Sequence, residues 1–76
     1  MIEKHRLEHQ AERLRLMGNN RAMRRDVLEI PGDDDLRARL VAWFDLNYAE
    51  LLAYRRLTQA PPGLLEEMQA RWGNDN

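Results

Sequence analysis

The sequence predicts a small all-α protein, and three observations carry that expectation. Apolar residues recur at steps of three and four along most of the chain; no stretch alternates as a partnered strand would; and Gly or Pro punctuates the boundaries between periodic segments. Four helical segments are expected, at roughly 2–17, 21–29, 34–59 and 62–72, forming a helical bundle that dimerisation would complete.

The first segment places Leu7, Ala11 and Leu14 on one face, with Met17 extending the row. Gly18 follows as a helix stop, because glycine readily takes the left-handed conformation that ends helices. Asn20 then reads as an N-cap for a short second helix carrying Met23, Val27 and Ile30. Pro31-Gly32 terminates it, since Pro31 lacks an amide hydrogen and disfavours α geometry at Ile30. A strand over VLEI would have no partner strand and is rejected.

Asp33, Asp34 and Asp35 open the third segment, where each carboxylate favours a helix N-terminus. Leu36, Leu40, Trp43, Phe44, Asn47, Tyr48, Leu51, Tyr54 and Thr58 then follow helical spacing. Val41, Leu46, Leu52 and Leu57 widen the apolar arc. So broad an arc predicts a central helix packed on more than one side. Asn47 lies in mid-seam and has two readings: a polar core residue that selects register or oligomer state, or an N-cap, with Glu50 three residues on, that breaks the helix. The continuous helix is preferred because neither Gly nor Pro interrupts residues 35–59. After Pro61-Pro62, a last helix takes Leu65, Met68 and Trp72, with acids at its start, Arg71 at its end and Gly73 as its stop. The chain reads as a single helical domain, 1–76, with 74–76 a frayed tail.

Seventy-six residues without cysteine have neither disulfides nor Cys–His zinc sites to reinforce a small core. Efficient helix packing or self-association must do so instead, which is why a homodimer is expected. The absence of cysteine, of a signal core and of an apolar run long enough to span a membrane predicts a cytoplasmic protein without a membrane partner.

Catalysis is not expected. The chain has no serine and one threonine, and no glycine-rich loop opens a helix. His5 and His9, four apart and within reach of Glu12, are the best metal candidates. They lie opposite the Leu7 face without supporting groups, so they are read as surface histidines, and neither metal nor cofactor is expected.

Charge is the more informative signal. Residues 1–25 hold seven basic and three acidic residues, net +4; residues 26–76 hold five basic and ten acidic, net −5. Arg13, Arg15, Arg21, Arg24 and Arg25 crowd the Gly18-Asn19-Asn20 break, and Asp33, Asp34 and Asp35 form the opposing cluster. Complementary fields of this kind promote specific association. These eight residues, with Trp72 as an aromatic anchor, are the candidate partner-binding set.

The expected function is therefore a regulator, inhibitor or assembly adaptor that docks helical surfaces on a protein partner or on itself. The alternative is nucleic-acid binding through residues 13–25. A helix-turn-helix match fails there because Arg24 occupies a position that should be apolar, and the acidic remainder opposes a duplex. The aromatic cluster Trp43, Phe44, Tyr48 and Tyr54 reads as core, not as a base-stacking platform.

Overall fold

A computed structural model describes residues 2–73, with side chains from His5 onward. It is all-helical and contains three helices among the described residues: α1 (Ile2–Leu28), α2 (Asp34–Leu52) and α3 (Leu64–Trp72). The expected frayed tail, 74–76, lies outside the described residues.

The first correction concerns the number of helices. Residues 2–17 and 21–29 were expected as two helices, yet α1 runs unbroken through Gly18, Asn19 and Asn20. The reason is register. Arg13, Met17, Asn20, Arg24 and Val27 advance by fours and threes on both sides of Gly18, presenting one face to α2. Arg13, Asn20 and Val27 are buried there. A mid-helix glycine costs about 1 kcal/mol relative to alanine, which continuous packing readily offsets.

α1 does end beside the Pro31-Gly32 stop. Its last turn tightens as the Glu29 N–H donates to Asp26 O and the Ile30 N–H to Val27 O. Gly32 and Asp33 then both take positive φ, 79° and 48°, and the chain reverses into α2. The two helices pack antiparallel: Val27 joins Leu36 and Leu40 near the turn, Arg24 meets Asp45 farther along, and Arg13 meets Tyr54 beyond the end of α2.

The second correction concerns α2, which stops at Leu52 rather than near residue 59. The Tyr54 N–H donates to Leu51 O and the Arg55 N–H to Glu50 O, at 3.2 and 3.0 Å, with Tyr54 at φ 60°. This is the Schellman arrangement that glycine usually provides. Here a tyrosine occupies the left-handed position. Residues beyond it run back along α2 without helical structure until Gly63, also at positive φ, starts α3.

Val27, Leu36, Leu40, Phe44 and Leu64 form the buried cluster, and Val41, Trp43, Met68 and Trp72 pack against it. α2 supplies most of these residues and is covered by α1 on one side and α3 on another. Two layers thus draw on the apolar arc expected of the third segment, but of the residues expected to widen it only Val41 packs against the cluster, and Leu46, Leu52 and Leu57 are exposed.

Candidate interaction surface

The arginine-rich part of α1 is not one uniform patch. Arg13 was expected to face a partner, but it is only 5% exposed. Its guanidinium carbon lies 3.5 Å from the centroid of the Tyr54 ring, a cation–π arrangement. The left-handed turn after α2 brings that ring back over α1. Arg15 is exposed and turns to Glu12, one turn earlier, through hydrogen bonds from both Nε and the terminal nitrogen. The hydrogen bond from Arg15 holds the Glu12 carboxyl below its ordinary pKa, and Glu12 raises that of Arg15. Arg24 crosses to α2, its Nε 2.7 Å from Asp45 Oδ1. Arg25 has a loose, exposed pairing with Asp26 at 3.8 Å. Arg21 alone of the five has no ion-pair or ring partner among the described residues.

The aspartates also have arginine partners, although Asp34 and Asp35 stay exposed. Asp33 pairs with Arg71 of α3, Asp34 with Arg37 at 3.0 Å, and Asp35 with Arg39 at 3.1 Å. Arg39 also clamps Glu67 through two bonds of 2.9 and 2.7 Å, a bidentate carboxylate grip that ties α3 to α2. The Arg39 hydrogen bonds lower the Glu67 pKa, with the nearby charges of Arg39 and Arg71 adding to the effect. Arg37 donates to Gly32 O, but its buried Nε has no partner among the described residues. Trp72 is half-buried against the core cluster, and so locks α3 in place.

Sequence reasoning missed what Asn47 does. It is neither a register residue facing another helix nor a cap. Its Oδ1 accepts the Thr58 N–H at 2.7 Å, while Trp43 Nε1 donates to Thr58 O at 2.9 Å. One turn of α2 thereby satisfies both backbone groups of a residue in the returning segment. Polarity on an apolar face was the available signal, but only the fold identifies the partner.

Sequence reasoning also placed Leu7 and Leu14 on the inner face of the first helix, whereas they are 54% and 62% exposed. Leu14, Met17, Leu52 and Tyr54 line a shallow groove where α1 passes the end of α2. A second, more apolar groove of about 300 Å³ lies between α2 and the returning segment, walled by Trp43, Leu46, Pro61 and Pro62. A third concavity, of about 560 Å³, opens between α1 and α2 beside Asn20, Arg21, Arg24, Arg25 and Tyr48.

Among the described residues, no group of three or more His, Cys, Asp or Glu side chains could hold a metal ion, and no helix is long and apolar enough to cross a membrane. His5 and His9 are exposed on the outer part of α1. The chain matches no protein-family model, no curated protein and no solved structure.

Proposed function

We infer that this chain is a small non-catalytic interaction module, a regulator, inhibitor or assembly adaptor that docks helical surfaces on a partner protein or on a second copy of itself. The observation that carries the reading is the apolar surface left uncovered along α1. Leu7, Leu14, Met23 and Leu28 are each about half exposed or more, and residues 5–12 are exposed throughout. At 1.5 Å per residue α1 is about 40 Å long and α2 about 28 Å, so the start of α1 projects beyond its neighbour.

Size scaling supports the same reading. A compact 9.0 kDa chain should expose about 4,900 Å², whereas this one exposes 5953 Å². The radius of gyration is 14.7 Å, against about 11 Å for a compact domain of this length. The surplus surface is comparable to the ~800 Å² that each partner contributes to a standard protein interface. Self-association through α1 is therefore the first form of docking to test. A cytoplasmic location belongs to the same reading, which suits a chain without cysteine.

Nucleic-acid binding through residues 13–25 draws less support. Arg13 is committed to Tyr54, Arg15 to Glu12 and Arg24 to Asp45. Light scattering across a concentration series, combined with hydrogen exchange, tests the docking reading. Association should appear in the natural chain, protect residues 5–17, and disappear in Leu7→Glu and Leu14→Glu. A strictly monomeric chain whose α1 gains no protection in host extract would overturn it.

A further inference from the structure

The concavity between α1 and α2 combines features that the docking surface does not explain. Asn20 is only 6% exposed and lines this space, and its side-chain amide, which is not among the buried unpartnered groups, is reached from the opening. Arg21, one residue on, has no ion-pair partner among the described residues, and Arg25 one turn later has only its 3.8 Å pairing with Asp26. Two guanidinium groups and an amide N–H₂ thus line one opening.

We propose that this concavity is a carboxylate-binding socket for an acidic segment of a partner protein. The inference deepens the docking reading and rests on it. Arginine forks match carboxylate oxygens in pairs, and the Asn20 amide supplies a further donor from the floor. Asp45 on the opposite wall neutralises Arg24 through their 2.7 Å bond. Arg21 and the loosely paired Arg25 remain, which suits one or two carboxylates better than a polyanion. The net charge of −5 over residues 26–76 also repels an extended phosphate backbone. Leu28, about half exposed at the edge of the same space, gives an apolar contact to a side chain adjacent to the bound acid.

The test uses the full chain, labelled with ¹⁵N and titrated with a blocked peptide containing a leucine beside two glutamates. Its glutamine counterpart, inorganic phosphate and a single-stranded oligonucleotide serve as separate arms. Saturable shifts of the Asn20 side-chain amide and the Arg21 and Arg25 Nε signals are expected with the acidic peptide. The glutamine peptide should bind at least about tenfold more weakly, a loss in the range expected for charge-assisted hydrogen bonds. Arg21→Gln combined with Arg25→Gln should abolish the shifts, and Asn20→Leu should weaken binding while leaving the helical spectrum intact. The exposed arginine pair keeps the test valid if the Asn20 variant fails to fold. Absence of saturation, equal binding of the glutamine peptide, or tighter binding of phosphate or oligonucleotide would overturn the assignment. Self-association should persist in the arginine variant and vanish in Leu7→Glu, so failure of the socket is distinguishable from failure of α1 docking.

Discussion

Asn47 and Thr58 are joined by a 2.7 Å hydrogen bond from the Thr58 amide to Asn47 Oδ1, and Trp43 Nε1 donates to the carbonyl oxygen of the same residue. The pair fixes the path of the chain between α2 and α3. Residues four apart on a helix project from one face, so Trp43 and Asn47 can grip one residue of a passing segment. This ordered return is what places Leu64 in the core.

Replacing Asn47 by Leu should therefore destabilise the protein by about 1–3 kcal/mol, the usual cost of leaving a buried donor unsatisfied. Urea denaturation measures the loss, and faster exchange of the Thr58 amide proton locates it. A register role would instead raise stability and mix oligomer states. A cap would leave Thr58 exchange unchanged.

Tyr54 should show two opposing effects. A non-glycine residue in the left-handed region costs roughly 1–2 kcal/mol, but the Tyr54 ring covers the Arg13 guanidinium. Tyr54→Ala keeps the backbone cost and loses the ring; Tyr54→Gly loses the ring and relieves the backbone. The alanine variant should thus be less stable than the glycine variant by about 1 kcal/mol, read from their denaturation midpoints.

Gly18→Ala should stabilise the chain by roughly 0.5–1 kcal/mol. A β-carbon built there meets nothing within 4 Å, and the backbone is already helical. A thermal melt showing a lower midpoint for the alanine variant would contradict the continuous α1.

The link between α2 and α3 should weaken in acid. Glu67 has its pKa lowered below the ordinary 4.5 by its hydrogen bonds from Arg39. A carboxyl with a depressed folded-state pKa contributes its stabilisation above the unfolded pKa and loses it as pH falls through the folded value. Glu67→Gln should accordingly flatten the dependence of stability on pH below about 4.5, and narrow the gap between the two proteins as the pH drops. Both groups are solvent-exposed, so high salt should reduce the difference.

Much of the architecture was legible because it depends on local chemistry. The helical periodicity, the Pro31-Gly32 turn, the acids that open α2 and the last helix ending at Trp72 all follow from spacing and from backbone preferences of single residues. The polarised charge was equally legible, though not its fate. Of the arginine and aspartate clusters that look like partner surfaces in one dimension, Arg13, Arg24 and Asp33 are engaged by Tyr54, Asp45 and Arg71 once α1, α2 and α3 meet, while Arg15, Arg25, Asp34 and Asp35 pair with near neighbours in sequence.

The two boundaries that differed did so because distant groups outweighed local preference. Gly18 and Asn20 favour a stop and a start, but burying Asn20 and Val27 against α2 requires the helix to continue between them. Residues 53–59 carry no breaker, yet α2 ends there because Arg13 receives the Tyr54 ring and Trp43 and Asn47 hold Thr58. Local sequence thus determined that the chain would be helical and which residues could turn it. Tertiary contacts decided where the helices end and which arginines stay free, because the competing local terms are only about 1 kcal/mol each and packing exceeds them.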